Sequence, residues 1–306
     1  MRTAFIKELI EQARSNPKVF LVVGDLGFSV VEPYVAEFPD RFLNAGVAEQ
    51  NMTSVAAGLA SEGYHVFSYS IANFPTLRCL EQIRNDVCYH NLPVTIVAVG
   101  GGMAYGNLGY SHHAVQDIGI MRTLPNITVL APADAGEATE CVRWLTANPS
   151  PTYLRLGKSS EPALHKCRGI SSGPLKVVSG NLPVAIAATG AILSVALAVA
   201  KQLSKVGERV SVFSCPWLAP ASSEMFVELA NYDIVVSLEE HCRVGGLASL
   251  LTEVLPHSVE IIPFCVKSGL EDVVGSHDYL KLCSNLDSQH ITERMRLLTA
   301  NYTQCP

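Results

Sequence analysis

The chain has 306 residues, 48% hydrophobic and only 16% charged, with a formal net charge of −6. That is enough apolar material for one large or two ordinary globular domains with full cores. The low charged fraction hints at surface buried against partners, and the acidic balance leaves no basic footprint for nucleic acid.

Nine cysteines, at 79, 88, 141, 167, 215, 242, 265, 283 and 305, contain no CxxC pair. An odd, scattered set argues against a disulfide framework or a zinc site and for reduced thiols in a cytosolic, cytoplasmic protein. The opening MRTAFIKELIEQA reads as an amphipathic helix with both charge signs, not a secretory signal. No segment reaches the ~20 apolar residues of a membrane span.

Residues 19–23 are a short apolar run ending at Gly24-Asp25-Leu26-Gly27, the pattern of a buried parallel strand. Asp25 falls just past the strand's carboxyl end, the edge where open α/β sheets bind ligands. An Asp in that turn also serves as a helix cap. Residues 41–44 form a second strand that feeds the stretch NAGVAEQNMTSVAAGLA, residues 44–60. Met52, Val55, Ala56, Leu59 and Ala60 recur there at helical spacing, so one face of that helix is buried. Glu49 lies in its first turn. Spacing alone explains an acid there by the positive end of the helix dipole. A carboxylate at the buried start of a helix can also be kept from bulk water and pointed at a ligand.

A strand is predicted at 64–70 and a helix at 76–90 with a stripe of Leu77, Leu80, Ile83 and Val87, stopped by Asn91-Leu92-Pro93. Residues 94–99 are a strand. Five glycines within residues 100–109 make a loop able to approach a ligand closely. It is neither a GxGxxG helix opening nor a P-loop. His112 and His113 close it. Neighbouring loop histidines point in different directions, so at most one faces a site, and a plain surface role is the ordinary explanation of either. A helix at 115–122, a strand at 127–131, a helix capped by Asp134 and running to 147, and a strand at 153–156 follow. Six or so strands alternating with helices make a doubly wound parallel sheet over residues 1–158.

Residues 159–181 break the pattern with SSEP, a Cys-Arg-Gly turn and SSGP, and read as a linker. A second, smaller α/β domain is predicted over 182–306. Its strands fall at 183–188, 210–215, 234–238 and 259–264. Its helices fall at 192–206, ended by Gly207, after Gly245-Gly246-Leu247, and at 289–299.

GVAEQNM, with Gly24-Asp25-Leu26 before it and Gly109-Tyr110-Ser111-His112-His113 after it, resembles the pyrimidine-binding domain of the transketolases. Glu239-Glu240-His241 followed by Gly245-Gly246-Leu247 resembles their C-terminal domain. The resemblance covers nearly the whole chain and is nearest to the C-terminal section of split transketolases. It implies a thiamine-diphosphate-dependent transferase that moves a two-carbon ketol unit from a ketose to an aldehyde. It makes Glu49 the carboxyl that bonds the far nitrogen of the cofactor's pyrimidine and favours its imino tautomer. Asp25 falls at the cofactor and subunit interface. His112 falls on the active-site histidine that faces the reacting carbon of the sugar, and His113 where the family more often has Gln.

The resemblance also shows departures. Ala72 and Pro75 fall where transketolases stack Phe on the pyrimidine, which leaves Phe74 as the substitute and Tyr69 as the alternative. Leu108 replaces an Asp that reads a sugar hydroxyl, Gly100 a phosphate-contacting His, and Lys158 a phosphate-contacting Arg. Lys cannot reproduce the Arg fork. A modified or nucleotide-linked sugar, or a different aldehyde acceptor, is therefore expected in place of the usual pentose phosphates. No counterpart of the Gly-Asp-Gly…Asn segment that holds Mg2+ and the diphosphate is present. An N-terminal-section transketolase subunit is expected to bring it, in a heterotetramer with two copies of each chain. Glu240 and His241 are expected to be structural, since this domain mainly supports assembly. The alternatives implied are an enzyme like 1-deoxyxylulose-phosphate synthase or the 2-oxo acid dehydrogenase beta chain, or a non-catalytic assembly subunit.

Overall fold

All five residues of strand β1 (Val19–Val23) are buried, and their side chains alternate between two cores. Phe20 and Val22 join one hydrophobic cluster, and Val19, Leu21 and Val23 join the other. A strand apolar on both faces needs helices on both sides, which is the parallel α/β arrangement. The computed structural model describes residues 1–158, 162–167, 169, 170 and 172–303, with side chains as far as residue 300. Ser159, Ser160, Glu161, Arg168 and Ser171 of the predicted linker, and Cys305, lie outside the described residues.

The first sheet adds β2 (Phe42–Asn44), β3 (His65–Ile71), β4 (Val94–Val99), β5 (Thr128–Leu130) and β6 (Thr152–Leu156). Its order is β5-β6-β4-β3-β1-β2, all parallel. Helices α1 (Arg2–Ser15) and α6 (Ala135–Ala147) cover one face, and α3 (Glu49–Ser61) and α5 (Asp117–Arg122) the other. As predicted, Asp134 caps α6, accepting the Glu137 N–H at 2.9 Å. A short helix α2 (Glu32–Glu37) precedes β2.

The second sheet has β7 (Leu175–Val178), β8 (Val184–Thr189), β9 (Ser211–Ser214), β11 (Ile234–Glu239) and β12 (Glu260–Phe264), ordered β12-β11-β8-β9-β7. Helices α7 (Leu193–Ser204) and α10 (Ser288–Thr303) pack on one face. Helix α8 (Leu247–Val254) packs on the other, and Leu247 and Leu250 share a core with Ile118 and Met121 of α5. Helix α8 is thus the layer between the two domains. A short α9 (His277–Cys283) follows β12. Among the described residues no helix is long and apolar enough to cross a membrane.

Three elements differ from the sequence reading. The predicted linker contains β7, an edge strand antiparallel to β9. The first sheet gains a seventh strand, β10 (Trp217–Ala219), which comes from the C-terminal half and runs antiparallel to β5. Strands this short, flanked by proline and confined to sheet edges, leave no periodic signal. Trp217 meets Trp144 of α6 edge to face at 4.8 Å, which stitches the two halves together. Third, the predicted helix at 76–90 is a 3₁₀ turn (Leu77–Cys79), one turn of α4 (Leu80–Gln82) and a π-helix (Ile83–Cys88). Tighter winding at its start takes Leu77 out of the stripe, so it is 40% exposed while Ile83 and Val87 are fully buried.

A buried ion pair closes the seam. Arg155 of β6 donates to Asp117 of α5 at 2.7 Å, and Tyr153 donates to the same carboxylate at 2.6 Å. Arg155 also donates to the carbonyls of Ala114 at 2.7 Å and Glu240 at 2.9 Å. Glu240 in turn meets His277 at 2.7 Å. Burial draws the His241 imidazole below its usual range. A neutral ring suits its contacts, with Nε2 accepting from Gly119 N–H at 3.2 Å and Nδ1 facing its neighbour's carbonyl at 2.7 Å. Glu240 and His241 are thus fully engaged in packing.

Replacing Asp117 with Asn keeps the shape but leaves Arg155 an uncompensated buried charge, expected to cost about 3–5 kcal/mol. Urea unfolding of Asp117→Asn checks this, and a cost below about 1 kcal/mol would contradict the seam's dependence on that charge.

Candidate active site

The carboxyl ends of all the parallel strands of the first sheet lie along one edge. The chain runs from β1 to β2 on one side of β1, then crosses to β3 on the other side. The crevice between β1 and β3 is therefore a topological switch point, the expected place for a ligand in an open α/β sheet.

Glu49 opens α3 at this crevice and is 2% exposed. Gly24 at the end of β1 leaves room beside it. A Cβ there would stand 3.6 Å from both Glu49 Cγ and Ser70 Oγ, so the acid and this hydroxyl flank the same point at the end of β1. Ser70 Oγ is buried and has no hydrogen-bond partner among the described residues. A buried polar atom without a partner marks a place where an unseen group is expected to bond.

From Glu49 a continuous line of contacts runs along the edge. Arg78 Nη1 donates to Glu49 Oε2 at 2.8 Å. The Arg78 guanidinium lies 4.8 Å from the centroid of the Phe74 ring. Phe74 meets His112 edge to face at 5.1 Å, and His112 lies 6.3 Å from the Tyr105 ring. Lys158 Nζ lies 4.6 Å over Tyr105. Ser111 Oγ is 3.0 Å from His112 Nδ1. Burial draws the His112 imidazole below its usual range, which leaves a neutral ring at pH 7 with one donor and one acceptor nitrogen.

Asp25 stands at the mouth in the left-handed region, φ +55°. Its N–H donates to Asn44 Oδ1 at 3.0 Å and its carboxylate accepts from Asn44 Nδ2 at 3.0 Å. This clamp ties the ends of β1 and β2 together.

Two sequence candidates lie elsewhere. The Tyr69 ring stacks against Phe5 of α1, 6.0 Å between centroids, on the opposite face of the sheet from Ser70. Burial pushes its phenol up to about 12. Strand alternation decides this, because neighbours in a strand face opposite ways. Phe74 is the aromatic that reaches the Glu49 cluster. His113 is 4% exposed and turns toward the second domain, where it lines a cleft of about 480 Å³ with Met103, Cys242 and Cys265. Residues 112 and 113 do point in different directions.

The sequence reading passed over Arg78, Asn73 and Ser70. Arg78 reaches back 29 positions to Glu49, and nothing local marks that pairing. The signal available for Asn73 and Ser70 was position, just at the carboxyl end of β3.

The profile of the transketolase pyrimidine-binding domain matches residues 1–162, and that of the transketolase C-terminal domain matches residues 173–277. The chain belongs to the transketolase family. A putative transketolase C-terminal section from Methanocaldococcus jannaschii is 32% identical over 302 residues, covering 96% of this chain and 95% of that protein. One of the subunits of an apulose-4-phosphate transketolase from Actinobacillus succinogenes is 31% identical over 253 residues, 82% of this chain and 81% of the relative. Among solved structures, a split-gene transketolase described as an inactive beta4 tetramer superposes with a TM-score of 0.83 at 34% identity, covering 95% of both chains. The transketolase from Leishmania mexicana shares the fold at 22% identity and a TM-score of 0.81, with this chain spanning 46% of its length. This transketolase-family chain aligns along nearly its whole length with relatives named as a C-terminal section and a split-gene transketolase, and the family is thiamine-diphosphate-dependent.

Asn73 is 8% exposed, and its amide donates to the carbonyls of Ser111, at 3.2 Å, and of His113. It pins the histidine loop to the end of β3. Asn73→Ala is expected to speed amide exchange in residues 100–113 by on the order of 10-fold, the scale of the two lost hydrogen bonds, without changing the sheet amides. Exchange mass spectrometry reads this directly, and an unchanged loop would remove the pinning role.

Proposed function

We propose that this chain supplies the pyrimidine side of a thiamine diphosphate site and, with a second polypeptide, transfers a two-carbon ketol unit from a ketose to an aldehyde. The observation that carries this is a carboxylate only 2% exposed, at the switch-point crevice of a pyrimidine-domain fold. The residues present fit such a cofactor. The crevice offers a dry acid for a ring N–H, an unpartnered Ser70 hydroxyl for a polar substituent, and the face of Phe74 for a flat ring.

Thiamine diphosphate supplies, when bound, a nucleophilic ring carbon that cleaves a bond next to a carbonyl. In this reading Glu49 holds a proton at the pyrimidine's far nitrogen, and its burial keeps water from competing for that proton. Neutral His112 gives and takes protons at the sugar oxygens. Asp25, clamped by Asn44, shapes the mouth where a second subunit would meet the cofactor, and Lys158 stands where an anionic substrate group would arrive. In this reading the diphosphate and Mg2+ end of the cofactor falls to an N-terminal-section subunit, in a heterotetramer with two copies of each chain. The names of the split-gene relatives support this division. Two relatives at 31% identity are named for apulose-4-phosphate. With exposed Leu108 on the glycine loop, a branched or otherwise modified sugar phosphate is the donor class to screen first. His113, turned away from the crevice, acts on the substrate only through the loop it shares with His112.

A second reading rests on relatives named 1-deoxy-D-xylulose-5-phosphate synthase, one of them 31% identical over 252 residues but matched along only 39% of its length. Release of carbon dioxide from pyruvate would favour it over ketol transfer.

The decisive measurement is calorimetric titration of thiamine diphosphate with Mg2+, on this chain alone and on the chain co-expressed with a neighbouring N-terminal-section subunit. Binding only in the complex is expected. Absence of binding in both would favour a non-catalytic assembly role. In the active complex Glu49→Gln is expected to lose at least ~100-fold in turnover, and activity within a few-fold of wild type would refute its assignment. His112→Ala is expected to lower turnover more than cofactor affinity, as separate kinetic and binding titrations would show; the reverse pattern would place it with the cofactor.

A further inference from the structure

Arg78 joins a half-exposed cation to a nearly dry anion: its side chain is 49% exposed and that of Glu49 is 2% exposed, with 2.8 Å between their atoms. A carboxylate that dry is costly without a counter-charge or a hydrogen-bond donor. The Arg78 head meets that need and also covers the Phe74 ring, at 4.8 Å from its centroid. These are two separate contacts made by one planar group. A guanidinium is flat, delocalised and edged with N–H donors. An aminopyrimidine ring protonated on its far nitrogen offers the same two features, an N–H for a carboxylate and a flat face for an aromatic ring.

We infer that Arg78 is a built-in stand-in for the pyrimidine ring, satisfying Glu49 and Phe74 in the free chain and leaving when the ligand arrives. The inference rests on the pyrimidine-site reading above. The local structure provides the mechanical means. Arg78 lies in the 3₁₀ turn Leu77–Cys79 at the rim of the crevice, and its side chain is half exposed. Rotation about its long stem removes it without moving the backbone. The ligand then exchanges one donor for another at Glu49, so the buried carboxylate never loses its partner. The stand-in stabilises the free site but competes with the ligand. Apparent affinity is reduced by the fraction of molecules in which the site is open.

The test uses thiamine, which carries the pyrimidine without the diphosphate, titrated calorimetrically into the chain co-expressed with a neighbouring N-terminal-section subunit. Arg78→Ala is expected to bind thiamine about 10-fold more tightly than wild type, the gain from removing a cap that is closed about nine-tenths of the time. Arg78→Met keeps the apolar stem without the charge and is expected to show the same gain should the alanine variant fold poorly. Arg78→Lys keeps the charge on Glu49 but cannot cover Phe74, and is expected to fall between. Equal or weaker binding in Arg78→Ala and Arg78→Met would overturn the inference, because a residue that positions Glu49 for the ligand loses affinity when removed. Glu49→Gln separates this from failure of the underlying reading. If wild type binds thiamine and Glu49→Gln does not, the pyrimidine site stands whatever Arg78 does. If no variant binds thiamine, the site reading fails and the inference with it.

Discussion

Arg155 and Asp117, a pair of opposite charges with almost no access to water, decide which part of this molecule is free to act. A buried guanidinium must have its donors satisfied, and Arg155 takes Asp117, the Ala114 carbonyl and the Glu240 carbonyl. Those three acceptors belong to α5, the end of the histidine loop and the second domain. One side chain therefore fixes three elements relative to β6. The same side chain lies at the switch point of the second sheet, between the ends of β8 and β11, where Thr189, Gly190 and Glu240 surround it and only about 20 Å³ is left. The second sheet's crevice is thus closed by the first domain.

With the loop end anchored by Arg155 and its histidines pinned by Asn73, His112 comes to rest against Phe74. The crevice then holds a graded set of groups, from the dry Glu49 to the wetter His112 and Lys158. That gradient suits the roles proposed for the two residues, a shielded acid beside a flat ring and a histidine that meets substrate entering from water. Arg78 bridges the two regimes, with a half-exposed side chain whose guanidinium meets Glu49.

Much of this was legible in the residues. The burial of β1 and β4, the capping of α6 by Asp134 and the helix beginning at Glu49 follow from local pattern, because they depend on neighbours within a few positions. The pairing motifs of a transketolase-type chain were likewise present as strings. Glu49 was visible in the first turn of its helix, where spacing alone allowed an acid that complements the helix dipole and the resemblance to the transketolases singled it out.

What the sequence by itself determined was therefore the family, the parallel α/β architecture and the acid at the sheet edge. The tertiary structure alone decided which neighbours that acid meets. Tyr69 was lost to the far face by the two-residue period of a strand, and His113 was turned into the domain seam by its place one residue after His112. Arg78 came in across 29 positions, and β10 crossed from one half of the chain to complete the other's sheet. Contacts of that separation are set by how packed layers come together and leave no trace in the spacing of residues along the chain.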